Sequence, residues 1–275
     1  MVTWLLAPLQ FAFMQRGLLA VLMVGVVCAV IGTYVVLRGM AFFGDALAHS
    51  ILPGMALGYV LGASGGTLFW WALGTAVLAA LGMGAITRRA QMRSDTSIGI
   101  IFAGMFALGI AIISTTRTYS VDLTHFLFGD VLGVRPQDLL LSVCFGALVL
   151  LSVAAFYKEF LVISFDPVLA VTLRLPVRLL DNFLLVLMAI AIVVALQTVG
   201  VALMLAMLVT PAAAAHLLTR RLPVMMVVAA ALAALSGIVG LYLSYYAGLP
   251  SGAAIVLVMT AIFFVIWSFS GRGLV

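Results

Sequence analysis

The sequence predicts an all-α polytopic membrane protein with eight or nine transmembrane helices. Three observations carry that expectation. Of 275 residues, 66% are hydrophobic and 8% are charged, about a third of the charge found in soluble domains. The mean hydropathy is +1.36. The apolar residues also come in successive runs, each near the ~20 residues that cross a hydrocarbon core. A water-soluble fold would need more polar surface than 13 basic, 8 acidic and 3 histidine side chains supply. Disorder is excluded for the opposite reason, because so apolar a chain buries ample surface against its ordering entropy. A single transmembrane domain over residues 1–275 is expected.

The first run covers Gly17 to Leu37, the second Ala46 to Gly62 and the third Thr67 to Thr87, closed by Arg88, Arg89 and Arg93. Met1 to Met14 lacks the basic start of a signal peptide and contains Pro8, so it is expected as an interfacial or partly inserted helix. A fourth run, Ser97 to Ser114, leads into a polar stretch ending at Arg135, and a fifth covers Leu139 to Tyr157. Lys158 to Asp181 mixes charges and two prolines with short apolar pieces and reads as a structured loop. The uncharged stretch Asn182 to Leu218 is too long for one untilted crossing and is divided near Gln197 to Gly200. Two last runs, Val224 to Tyr246 and Ala253 to Phe269, flank the turn signal Gly248-Leu249-Pro250-Ser251-Gly252.

Arginine placement supports the division. The basic loops at Arg88 to Arg93, Lys158 to Arg178 and Arg220-Arg221 share one side only if Asn182 to Leu218 crosses twice. The same rule puts Arg38 and Arg272 on the cytoplasmic side, with Thr115 to Arg135 and the Gly248 turn outside. In this setting the net charge of +5 reports topology and no nucleic-acid partner. Cys28 and Cys144 lie inside apolar runs, so they read as small core hydrophobes without a disulfide or CxxC site. The 14 methionines, Met204 and Met207 among them, read as adaptable packing.

Ionisable side chains within apolar runs mark pathways or sites. Asp45 and His49 stand four apart, which puts carboxylate and imidazole one turn apart on one helix face. Both groups ligate divalent zinc, manganese or iron, and a symmetric partner's pair would complete four ligands. The competing reading makes Asp45 a helix cap and His49 a hydrogen-bonded core residue. Asp122 and His125 in the outer loop form either a metal relay or solvated polar surface. His216, beyond Thr210-Pro211-Ala212, suits a pore or a packing role, since Pro211 frees a carbonyl. Enzyme chemistry has little to stand on. The sequence holds no GxxxxGK[ST] phosphate loop, its only lysine is Lys158, and neither HExxH nor GxSxG occurs.

Gly44-Asp45-Ala46-Leu47-Ala48-His49-Ser50-Ile51-Leu52-Pro53-Gly54, Asp95-Thr96-Ser97-Ile98-Gly99-Ile100-Ile101-Phe102, Phe128-Gly129-Asp130-Val131-Leu132, Leu208-Val209-Thr210-Pro211-Ala212-Ala213 and Ser244-Tyr245-Tyr246-Ala247-Gly248-Leu249-Pro250-Ser251-Gly252-Ala253 occur in this order along nearly the whole chain. They resemble the permeases of bacterial ABC importers for zinc, manganese and iron. The resemblance implies the type II importer permease fold, a homodimer in the bacterial inner membrane, a cytoplasmic dimer of ATP-binding subunits and an extracytoplasmic metal-binding protein. It also implies that Asp45 and His49 line the metal path, with the metal as cargo and no permanently bound cofactor.

Phe165, Asp166, Pro167, Leu169, Ala170, Leu173 and Arg174 match the family's ATPase-coupling segment, within a cytoplasmic stretch of about 158–181. Independently, Leu169, Ala170, Leu173 and Leu175 give that segment an apolar side, and Arg174 and Arg178 offer charges to a soluble partner. It departs from the family pattern at Val168, where an acidic residue is expected, and at Arg174, where glycine is expected. The expected function is ATP-driven uptake of a divalent metal by alternating access. Zinc is favoured because imidazole suits it and His125 adds a second histidine outside. Proton-coupled secondary transport is the rival reading, and an intramembrane enzyme or scaffold a third.

Overall fold

The computed structural model describes residues 7–63, 66–90, 92–115 and 131–270. Helices are the only regular elements among them. In chain order these are α1 (Ala12–Leu37), α2 (Phe43–Ser50), α3 (Leu52–Val60), α4 (Thr67–Ala90), α5 (Ser94–Ser114) and α6 (Pro136–Ala155). There follow α7 (Tyr157–Phe165), α8 (Pro167–Thr172), α9 (Val177–Val199), α10 (Val201–Leu218), α11 (Leu222–Ala247) and α12 (Ser251–Ser270). Eight of them, α1, α4, α5, α6, α9, α10, α11 and α12, are long and apolar enough to cross a membrane.

The helix boundaries follow local chemistry. Gly200, at φ +80°, takes a backbone conformation closed to side-chain-bearing residues and separates α9 from α10, at the division expected from arginine placement. Gly248, at φ +66°, ends α11 in the left-handed cap. Asp138 sits in the first turn of α6, where its Oδ2 accepts the Arg135 backbone N–H at 3.3 Å and its Oδ1 accepts from Gln197 Nε2 at 2.9 Å.

Three expectations need correction. The second crossing, Ala46 to Gly62, is not one helix. Pro53 has no N–H to donate to the His49 carbonyl, and that carbonyl instead accepts the N–H of Ile51. The run is therefore divided into α2 and α3 with Ile51 between them. Of the expected interfacial helix Met1 to Met14, residues 1–6 lie outside the described residues; in the rest, Pro8–Gln10 forms a single 3-10 turn, extended Phe11 breaks it, and Ala12 to Met14 begin α1. Lys158 to Asp181 is helical, forming α7, α8 and the start of α9. Of the two cysteines, Cys28 is buried as expected whereas Cys144 is exposed on α6.

The chain packs as two compact units. The first comprises the described parts of Met1–Val36, Leu123–Leu150 and Val194–Val275. Here α10, α11 and α12 pack on one another, and small residues let α1 come close. A Cβ added at Gly32 would fall on the Leu208 carbonyl, and one added at Gly240 would stand 2.5 Å from Ile255 Cα. Such backbone approaches are how helices associate where lipid supplies no hydrophobic drive. Met204 and Met207 are fully buried in α10, as packing residues.

The second unit comprises the described parts of Leu37–Asp122 and Leu151–Val193. In it α2, α3, α4 and α5 pack together, and α7 packs on α8. Phe156, Phe160 and Phe183 form a ring cluster with centroids 5.3 to 6.0 Å apart. The short α8 is defined by its ends. Asp166 caps its start, Oδ1 accepting the N–H groups of Val168 at 3.0 Å and Leu169 at 2.9 Å, with Pro167 in the first position. Its end is a Schellman motif, in which Leu175 N–H reaches Ala170 O at 3.1 Å and Arg174 N–H reaches Val171 O at 2.9 Å. That motif demands a left-handed residue at Arg174, which has φ +56°. The glycine of the family pattern is what this turn prefers.

Two predictions follow from the packing and the turn. Gly32→Ala should destabilise the detergent-solubilised protein by roughly 1–3 kcal/mol, the range of overpacking substitutions, whereas Gly74→Ala, which meets nothing within 4 Å, should leave the melting temperature unchanged. Arg174→Gly should hold or raise the melting temperature and Arg174→Val should lower it, because a β-branched residue tolerates left-handed backbone poorly.

Candidate metal-binding site

Asp45 and His49 both lie on α2, as the spacing predicts. His49 Nε2 stands 3.5 Å from Asp45 Oδ1, too far for a firm hydrogen bond. Two ligands of one tetrahedral ion with bonds of about 2.0–2.1 Å lie about 3.4 Å apart, so an ion fits between these atoms with little movement. The side chains are 26% and 32% exposed, neither sealed in a core nor fully solvated. The competing roles are not observed. Phe42 occupies the N-cap of α2 without a side-chain cap bond, and His49 has no hydrogen bond among the described residues beyond its approach to Asp45.

The imidazole is held by rings on α5. Phe102 meets it edge-on at 5.8 Å and 65°, and Phe106 at 5.7 Å and 84°. Phe42 in turn meets Phe102 at 5.8 Å. Phe102, Phe106 and Gly109 recur at i, i+4 and i+7, one stripe of a helix. A Cβ at Gly109 would stand 2.7 Å from Leu52 Cβ. The glycine thus lets α5 approach the break between α2 and α3 closely enough for its rings to abut His49. The aromatic walls exclude water on that side, so a charge at the pair is screened less than in solvent. Phe102 closes one of the family motifs but neither it nor Phe106 was given a place beside His49, the Phe102-Phe106-Gly109 stripe being the available signal.

The pair offers two candidate donors. No group of three or more His, Cys, Asp or Glu side chains placed to hold a metal ion occurs among the described residues. His216 is exposed in the last turn of α10 and belongs to the other compact unit. Asp122 and His125 lie outside the described residues.

The stretch around α8 presents a second feature. Phe165, Val168, Leu169, Val171 and Leu173 are all exposed around α8, an apolar patch of the kind that marks an interaction surface. Val168 and Val171 join Leu169 and Leu173, while Ala170 is fully buried beneath the Schellman turn and Leu175 is half-buried. Arg174 is exposed beside the patch.

The chain is 47% identical over 264 residues to a manganese transport system membrane protein of Listeria innocua, covering 96% of this chain and 93% of that one. It is 38% identical over 270 residues to a probable iron transport system membrane protein of Haemophilus influenzae, with 98% of both covered. The solved structure of PsaBC from Streptococcus pneumoniae in complex with a Fab superposes with a TM-score of 0.82 at 36% identity, covering 97% of this chain and 95% of that one. Residues 10–270 match the ABC 3 transport family. Eight candidate membrane spans among the described residues, relatives covered over more than nine-tenths of their length and a family match over residues 10–270 together mean that the chain belongs to the ABC 3 transport family.

Proposed function

We propose that this chain is the permease of an ATP-driven importer of divalent transition metal, with manganese as its substrate, working as a homodimer in the bacterial inner membrane. The observation that carries the reading is the Asp45–His49 pair, two ligands at bridging distance on a broken crossing, walled by phenyl rings. The names of the relatives move the cargo from the zinc favoured by imidazole chemistry to manganese, with iron next. Donor chemistry agrees, since a carboxylate with water and carbonyl oxygens suits manganese, and selection rests on geometry and supply more than on affinity.

A divalent ion does not enter hydrocarbon unpaired. Asp45 supplies the charge and His49 a neutral nitrogen, and the matching pair of a second copy completes the shell at the dimer axis. With only two ligands per chain the site binds weakly enough to release its ion inward. The exposed apolar patch on α8 seats in the cytoplasmic ATP-binding subunit, and ATP-driven closure of those subunits shifts α8 and alternates access to the pair. An extracytoplasmic binding protein delivers the ion.

In proteoliposomes holding this chain, its ATPase and its binding protein, manganese uptake should require ATP. Asp45→Asn and His49→Ala should each cut uptake at least about tenfold, the effect of losing one ligand, while the ATPase still co-purifies. Uptake that persists without ATP and collapses with the proton gradient would identify a secondary carrier instead. Leu169→Asp combined with Leu173→Asp should release the ATPase during purification without lowering the melting temperature of the permease alone, because both side chains are exposed.

A further inference from the structure

The second unit contains a cavity of about 460 Å³ with an unusual charge balance. Its lining includes Arg38, Arg88 and Arg178 against a single carboxylate, Asp181. That carboxylate is already shared: Arg38 Nη1 donates to Oδ1 and Arg88 Nη1 to Oδ2, each at 2.5 Å. Arg88 Nη2 donates to Asn182 Oδ1 at 2.6 Å, and Arg38 Nε to Ser164 Oγ at 3.2 Å. These bonds fix two guanidiniums in place and leave N–H groups on both without a partner among the described residues. Arg178, exposed at the rim, has no ion pair among the described residues. Ser94, Thr87 and Ser164 add hydroxyls to the wall.

The cavity also sits at a telling depth. Its residues come from the C-terminal parts of α1 and α4 and the N-terminal parts of α5 and α9, four helices long and apolar enough to span, together with α2, α7 and Pro167 of α8. The ends of spanning helices lie at the level of lipid phosphates. Three guanidiniums with one carboxylate leave two positive charges uncompensated, in a pocket large enough for a phosphoryl group with its glycerol substituent. Arginine forks match phosphate oxygens, and basic pockets between helices at this depth hold acidic headgroups.

We propose that this cavity binds a phosphate-bearing anion, supplied as the headgroup of an anionic phospholipid. Pro167, the first residue of α8, lines the same cavity, so an occupied pocket braces the turn from which the coupling segment projects. That consequence rests on the transport reading, whereas headgroup binding does not.

The test uses the purified full-length chain in detergent, with native mass spectrometry and thermal melts after addition of phosphatidylglycerol, phosphatidylcholine or inorganic phosphate. Phosphatidylglycerol should bind and raise the melting temperature where phosphatidylcholine at equal fraction does not. Arg178→Gln should weaken that binding about tenfold, the share of one charge-assisted contact. Arg178→Lys should restore much of it, and Arg221→Gln, an exposed charge in the other unit, should change nothing. A response to inorganic phosphate equal to that of the lipid, and lost in Arg178→Gln, would keep the anion site but make its source soluble, overturning the headgroup assignment. Equal binding of both lipids without a phosphate response, or equal losses in Arg178→Gln and Arg221→Gln, would overturn the site itself. Because none of these readouts involves transport, a failed uptake assay leaves the test standing.

Discussion

A hydrocarbon surround tolerates a charged or hydrogen-bonding group only where a partner, a ligand or water satisfies it. That constraint sorts the few polar side chains of this protein into roles. Asp181 is bracketed by Arg38 and Arg88 at the ends of spanning helices, where one carboxylate serves two guanidiniums. Asp138 closes the first turn of α6 and meets Gln197. Asp45 and His49 are the pair left poised without a firm bond, partly exposed and at the spacing an ion would bridge. In the proposed function, the partner this pair lacks within one chain is the passing cargo.

The same constraint explains where the backbone breaks. Pro53 interrupts the helix one turn beyond His49, and the His49 carbonyl finds a substitute donor in Ile51. The interruption leaves α2 and α3 too short to span separately, so they depend on α4 and α5 for cover. Glycine does the fitting: Gly109 admits α5 to the break, and Gly54 lies against Trp71 and Thr75 of α4. The Asp45–His49 pair is thereby mounted on a short helix whose neighbours pack closely against it and the break that follows it.

Much of this was legible in the chain itself. Run length and arginine placement gave the spanning helices and the division at Gly200, because hydrophobic thickness and loop charge act on sequence directly. The i, i+4 spacing gave the Asp45–His49 face. The break at Ile51 was missed because Ala46 to Gly62 is uniformly apolar, and hydropathy does not register a lost backbone hydrogen bond. Phe102 and Phe106 were missed because an aromatic stripe in an apolar helix is indistinguishable from ordinary core without its neighbours. Arg38 and Arg88 read as topology markers, and their convergence on Asp181, distant in sequence, needed the fold. The oddity of arginine at a glycine position was visible, and its meaning emerged only with the positive φ of Arg174.

The most direct measurement of the central claim is an anomalous difference map, at the manganese edge, of this chain assembled with its ATPase and soaked in manganese. The account predicts a peak between Asp45 Oδ1 and His49 Nε2, lost in Asp45→Asn crystals grown the same way. A manganese peak elsewhere along the translocation path, with none at this pair, would contradict it.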